Sequence, residues 1–345
     1  MDTGFFNNLL IEVDPLSSLY AALARYRRRY YATHPERRRR LSRPVISVGN
    51  LAVGGRAKTP LAGSIAAHLA AAGERPAILS RGYARRRAQD GVVVVRDAAG
   101  IRADIDRAGD EPLMLARRLD GVAVLTCADR YLAGRVAEHH FGCTVHVLDD
   151  GFQHFALHRS IDIVVIGRED LDHARTLPFG RLREPLDALG AASAVIALDE
   201  TTVQGLAPGR SIWRARRVLE QARLVEPYGA PAQPSGGSVV AVAGIARPQR
   251  FFSDLRAAGW PIARELAFRD HHPYSAGDVA RICRVAREQG ADLIVTTEKD
   301  LVRLLRFRPF PLSLAWVPLS VRIEPADAFN RWLTASLFNA REAVQ

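Results

Sequence analysis

The chain has 345 residues, room for two ordinary domains, and its balance of 48% hydrophobic and 25% charged residues excludes a disordered or collagen-like chain. A net charge of +11 favours an anionic partner, while the three scattered cysteines, Cys127, Cys143 and Cys283, exclude a disulfide framework and any CxxC site and fit a reducing compartment. No apolar run approaches the roughly 18 residues a spanning helix needs, and charge interrupts the first apolar stretch, which excludes a transmembrane span and a cleavable signal peptide.

Of the 48 lysines and arginines only two are lysines, Lys58 and Lys299. A bias toward arginine removes lysine wherever any cation serves. Lysine survives where a compact point charge is needed in place of a planar fork.

Residues 1–43 form a first segment. Leu16, Leu19, Leu23, Tyr26 and Tyr30 recur near helical spacing, and arginines crowd around them up to Arg43. Three readings fit: a helix packed on its own domain, a basic amphipathic helix lying on an anionic membrane surface, or a nucleic-acid arm.

Residues 44–225 alternate apolar, β-branched runs with helical stretches, so a parallel α/β sheet is expected. The run "PVISV" leads into "GNLAVGGRAKTP", and a helix follows from about Pro60 to Gly73. This is the strand–loop–helix context of a phosphate-binding loop, with alanine at two of its glycine positions, Ala52 and Ala57. Ala52, Val53, Gly54, Gly55, Arg56 and Ala57 would then wrap the phosphates of a nucleotide, Lys58 would reach the β- and γ-phosphates, and Thr59 would hold Mg²⁺. The loop is expected to tolerate Ala57 because its φ is negative, so that glycine there would change little.

Further along, "GDEP" puts Asp110 at a helix start, where it is either an N-cap or a chemical carboxylate. In "TVHVLDDGFQH" an apolar strand ends in Asp149 and Asp150, the arrangement that brings a carboxylate to the metal held by Thr59. Strand alternation lets one of the two face it more directly.

Residues 226–345 open with the Pro-, Gly- and Ser-rich "EPYGAPAQPSGGS" and then read as a smaller α/β domain. Its loop "FRDHHPYS" carries His271 and His272, either of which suits a base or a carboxylate partner. "TTEKD" carries the second lysine but lies out of register with a guanine-reading motif. The last helix, from about Ala326, packs on either domain. The expected fold class is therefore α/β: a P-loop NTPase-like parallel sheet, a smaller second α/β domain and an N-terminal amphipathic helix.

Taken together, "PLSSLY", "VGNLAVGGRAKTP", "LSRGY", "GDEP", "DDGFQH", "LREP", "DHHPY" and "TTEKD" resemble, in order, the tetraacyldisaccharide 4'-kinases. The family pattern usually has glycine at the positions of Ala57 and Ala84. The resemblance implies transfer of the γ-phosphoryl of ATP, with Mg²⁺, to the 4'-hydroxyl of a tetraacylated glucosamine disaccharide 1-phosphate, at the cytoplasmic face of the bacterial inner membrane. It also implies that Asp110 acts with His271 or His272 on the acceptor hydroxyl. Arg130, Arg183 and Tyr83 are implied for the lipid substrate, and Glu184 near the metal with Asp149 and Asp150. No nucleic acid and no obligate protein partner is expected. A P-loop GTPase or metallochaperone is the alternative within the class, and a non-enzymatic basic membrane-binding protein is the alternative outside it.

Overall fold

Apolar runs that alternate with helical stretches bury themselves most completely as parallel strands under crossover helices, and two sheets form this way. A computed structural model describes residues 14–54, 57–82, 85, 91–203, 205–234 and 237–342. The larger sheet runs in the order β15 (Leu319–Glu324), β9 (Ser211–Leu219), β8 (Ala194–Leu198), β7 (Ile161–Ile166), β1 (Val45–Asn50), β6 (Val145–Asp149), β2 (Pro76–Ser80), β5 (Ala123–Thr126), β3 (Val93–Asp97) and β4 (Gly100–Ile101). From β9 to β5 every pairing is parallel. The edge strands β15, β3 and β4 are antiparallel. All six residues of β1 are buried, as expected of a central strand covered on both faces.

The smaller sheet has the order β10 (Arg223–Leu224), β14 (Ser313–Val317), β13 (Leu293–Thr297), β11 (Val239–Ala243) and β12 (Ile262–Ala267), parallel except at β10. The helices are α1 (Pro15–Thr33), α2 (Lys58–Ala71), α3 (Ile105–Ala108), α4 (Asp110–Arg118), α5 (Arg130–Phe141), α6 (Arg168–Asp172), α7 (Pro248–Ala257), α8 (Ala276–Glu288), α9 (Glu298–Leu304) and α10 (Ala326–Glu342).

The chain crosses back at its end. β15 pairs with β9, and Phe329, Leu333 and Leu337 of α10 are buried in the core of the larger sheet, with Phe329 edge-on to Trp213. The last stretch of 226–345 therefore belongs, by packing, to the larger sheet, because its apolar stripe finds an uncovered face there. Arg118 on α4 ties the two units at this crossing. It reaches Glu298 of α9 at 3.2 Å, Glu220 at 2.8 Å and the carbonyl of Leu319 at 2.7 Å.

α1 packs in an unusual sense. Its buried residues are Ser17 and Ala21, while Leu16, Leu19, Leu23 and Tyr26 stand exposed on one face. Polar contacts anchor the helix. Ser17 Oγ donates to the carbonyl of Thr176 at 3.0 Å and Thr176 Oγ1 donates back to the Ser17 carbonyl at 2.7 Å. Arg28 makes a two-pronged ion pair with Glu184 at 2.6 and 2.7 Å and lies over the Phe152 ring. Among the described residues no helix is long and apolar enough to cross a membrane.

Candidate active site

In an open parallel sheet, ligands bind beyond the carboxyl ends of the strands, where neighbouring loops part. β1 and β6 are adjacent, with Val48 in register with Asp149, so the loop after β1 and the Asp149–Asp150 turn emerge side by side. Gly49 is needed here: a Cβ would come within 2.5 Å of the Phe152 side chain, which packs beneath it. The loop is held from outside by the 175–184 segment. Val53 N–H donates to the Arg181 carbonyl at 2.8 Å, and Arg181 Nη2 returns to the Val53 carbonyl at 3.1 Å.

Lys58 opens α2. Its ammonium lies 3.0 Å from Asn50 Oδ1 and 3.3 Å from both the Gly54 carbonyl and Asp150 Oδ1. Thr59 Oγ1 donates to Asp149 Oδ2 at 2.9 Å. Asp149 is fully buried, and its Oδ1 has no hydrogen-bond partner among the described residues. Burial, with the negative charges of Glu111 and Asp150 adding to it, pushes its pKa up to about 7. Asp150 is the opposite case. Burial would raise it, but Lys58 and Arg183 outweigh that and bring it down to about 2. The pair is thus divided: Asp150 is committed to two cations, and Asp149 presents an unpaired buried oxygen beside a threonine hydroxyl. That donor set fits a hard divalent cation such as Mg²⁺.

Ala57 departs from expectation. It sits at φ 58° and ψ 23°, in the left-handed region, and not at negative φ. The turn into α2 requires that conformation, and a Cβ there costs about 1–2 kcal/mol relative to glycine. The sign of one substitution separates the two backbones. With positive φ, Ala57→Gly stabilises the folded protein by about 1 kcal/mol; with negative φ it would destabilise by roughly 0.5–1 kcal/mol. Denaturant unfolding of the two nucleotide-free proteins measures it. Gly55 and Arg56 lie outside the described residues.

The second half of the site comes from α4 and the smaller sheet. Gly109 (φ 85°, ψ 161°) is the N-cap of α4, so Asp110 stands one residue inside the helix and is not the cap. Its carboxylate is 4% exposed, and its Oδ2 lies 2.8 Å from His271 Nδ1 and 3.6 Å from Arg303 Nε. Burial would push this carboxyl up. The His271 hydrogen bond and the Lys299 and Arg303 charges hold it below the usual carboxylate range instead. His272, which the sequence left equal to His271, turns away to Asp278 at 3.2 Å and packs on Phe268. The histidine that contacts Asp110 is therefore His271.

Lys299 completes this cluster, 3.1 Å from His271 Nε2 and 3.2 Å from Glu111 Oε1. Glu111 also bears on the first half through its charge on Asp149. Sequence reading missed Glu111, Asn50, Arg303 and the role of Lys299. The scarcity of lysine and its place in "TTEKD" were the signals available for Lys299.

The arginines divide. Arg130, at the start of α5, is buried; one Nη donates to the Ala128 carbonyl at 2.9 Å, while Nε has no hydrogen-bond partner among the described residues. Arg183 is spent on Asp150 at 2.7 and 3.0 Å and on Asn50 Oδ1 at 2.6 Å. Glu184 takes a different part from the metal ligation expected of it: Arg28 and Gln153 Nε2, at 2.9 Å, satisfy its carboxylate. Tyr83 and Ala84 lie outside the described residues. Four non-glycine residues among those described have positive φ, and three of them, Ala57, Asp150 and His271, are in this site, where strained backbone tends to collect.

Known proteins resemble this chain over most of its length. The family described as tetraacyldisaccharide-1-P 4'-kinase matches residues 9–338. A protein of Koribacter versatilis named tetraacyldisaccharide 4'-kinase is 40% identical over 325 residues, 92% of this chain and 96% of the relative. A protein of the same name from Geobacter metallireducens is 39% identical over 299 residues, 84% of this chain and 87% of the relative. Among solved structures, the "apo" form of LpxK from Aquifex aeolicus in complex with ATP superposes with a TM-score of 0.79 at 29% identity, covering 94% of this chain and 98% of that one.

Proposed function

Because the chain belongs to the tetraacyldisaccharide-1-P 4'-kinase family, ATP-dependent kinases of lipid A biosynthesis, we propose that the site between its two sheets transfers the γ-phosphoryl of ATP to the 4'-hydroxyl of a tetraacyldisaccharide 1-phosphate, giving lipid IVA. The observation that carries the reading is the Asp110–His271 contact, which joins the larger sheet's α4 to a loop of the smaller sheet beside a phosphate-binding loop.

Phosphoryl transfer asks the protein for positioning, charge neutralisation and a base. Lys58 supplies a cation to the β- and γ-phosphates, leaving its contacts with Asn50 and Asp150. Thr59 and Asp149 would hold Mg²⁺, which when bound neutralises phosphate charge. Asp110 and His271 act together as the base on the acceptor hydroxyl. The buried, unpartnered Nε of Arg130 is suited to an anionic oxygen of the lipid, and Arg183 can serve there when Asp150 releases it. In mixed detergent micelles, label from γ-labelled ATP should enter the lipid only when enzyme, Mg²⁺ and the disaccharide 1-phosphate are all present. Hydrolysis of ATP at a rate indifferent to the acceptor would contradict this reading.

The substrate lies in a bilayer, and α1 offers a way to meet it. A helix that packs through Ser17 and Ala21 and exposes leucines has its apolar face toward something other than its own core. We assign that face to the cytoplasmic leaflet of the inner membrane, with the arginines of α1 and the following segment toward anionic headgroups. Leu19 and Leu23 are 57% and 58% exposed, so the double variant Leu19→Glu/Leu23→Glu should melt like the parent. Its cosedimentation with anionic vesicles should fall about tenfold or more, since each leucine loses roughly 1.5 kcal/mol or more of apolar burial. Unchanged vesicle binding would remove α1 from the membrane contact.

A further inference from the structure

The loop between β11 and α7, residues 244–247, belongs to the smaller sheet and touches both halves of the site. At its start Gly244 N–H donates to the Asp300 carboxylate at 3.0 and 3.1 Å, and the Gly244 carbonyl accepts from Arg303 Nη2 at 3.0 Å. Arg303 is the arginine whose Nε lies 3.6 Å from Asp110. A Cβ at position 244 would come within 2.9 Å of Asp300 and of the Tyr274 hydroxyl, so this end of the loop is closely packed and only glycine fits.

At its other end Arg247, which precedes Pro248 at the start of α7, crosses to the larger sheet. Its two Nη groups donate to the two carboxylate oxygens of Glu169 on α6, at 2.5 and 2.6 Å. Glu169 Oε2 lies 3.6 Å from Arg181 Nη1. Arg181 in turn holds the phosphate loop through its two hydrogen bonds with Val53, and its Nη2 is 3.0 Å from where a Gly54 Cβ would lie. We propose that Arg247 is a positioning residue for the transfer reaction: with Glu169 and Arg181 it forms a strut that sets the phosphate loop at a fixed distance from the Asp110–His271 contact. The inference rests on the reading of that contact as the base, given above.

The geometry of the pair suits a strut. Ion pairs near the surface are usually worth little, but a two-pronged arginine–carboxylate pair is the exception, since it fixes direction as well as distance. Removing the Arg247 fork leaves Val53 held by the backbone and side chain of Arg181, so the loop keeps its shape and its hold on nucleotide. What is lost is the placing of the loop against the smaller sheet, and a misplacement of about 1 Å between reacting groups costs on the order of 100-fold in rate. A neighbouring pair gives the contrast. Arg250 of α7 also crosses to the larger sheet, 3.0 Å from Asp199, but Asp199 is held by Arg217 of β9, three places from β1 in the sheet order. That pair docks α7 without reaching the phosphate loop.

The experiment separates rate from nucleotide affinity, on the full-length protein in mixed micelles. Arg247→Met should lower kcat at least fivefold and leave the dissociation constant for ATP, measured by calorimetry, within threefold. A smaller loss of kcat overturns the proposal, and so does a larger change in ATP affinity, which would make Arg247 a nucleotide ligand. Glu169→Ala should match Arg247→Met, and the double variant should fall no more than threefold below the slower single, because both changes remove one strut. Losses that multiply overturn the proposal. Arg250→Met should keep kcat within threefold of the parent; a larger loss would make the docking of α7 the cause and overturns it too. If Arg247→Met does not fold, Glu169→Ala decides by the same limits. Separately, kcat unchanged in Asp110→Asn or His271→Gln would defeat the underlying reading, whereas slow Asp110 and His271 variants with an unaffected Arg247→Met defeat only the inference about the strut.

Discussion

Lys58→Ala lowers kcat by at least about 100-fold, because a cation lost from the transferring phosphate costs roughly 3 kcal/mol or more of transition-state stabilisation. The fold survives the change. Lys58 contacts Asn50, the Gly54 carbonyl and Asp150, and Arg183 still neutralises Asp150 through two hydrogen bonds. No buried charge is therefore left alone, which is the circumstance that makes loss of an ion-pair partner expensive. Initial rates in micelles and a melting curve on the same preparation check both halves. A variant that melts with the parent and keeps more than about a tenth of its rate would separate this loop from phosphoryl transfer, since a tenfold loss is only about 1.4 kcal/mol.

Asp110→Asn lowers kcat by about 100- to 10,000-fold, the usual worth of a positioned base, and leaves KM for ATP within about threefold. Asparagine keeps the shape and can still accept from His271 Nδ1, but it lacks the carboxylate's charge. The cations around it remain paired, Lys299 with Glu111 and Asp270, and Arg303 with Asp300 at 3.1 Å. Gly109 caps α4, so no capping energy is lost. Steady-state kinetics varying ATP and acceptor in turn distinguish the roles: a rise in KM for ATP with kcat preserved would place Asp110 in nucleotide binding.

How much of this was legible in the chain depends on the range of each contact. The phosphate loop and the Asp149–Asp150 turn are continuous stretches between a strand and its neighbour, and periodicity with glycine content exposes such stretches. The parallel core was legible for the same reason. The return of β15 and α10 to the larger sheet was not, because a helical stripe does not name the face it will cover. Asp110 and His271 are 161 residues apart, and only tertiary packing chooses between His271 and His272. Glu184 looked like a metal ligand beside Arg183, yet its partner, Arg28, lies 156 residues earlier. Ala57 misled through a sound local rule. Alanine avoids positive φ, but the turn into α2 imposes it, and the surrounding structure over-determines the strain.

The central claim is that Asp110 and His271 act as one unit on the acceptor hydroxyl. The most direct test is kcat for Asp110→Asn, His271→Gln and the double variant, measured in the same micelles at saturating ATP and acceptor. Groups that act together lose their effect together. The double variant should fall no more than about threefold below the slower single variant, a difference under about 0.7 kcal/mol. Losses that multiply across the two positions would show independent roles and contradict the account.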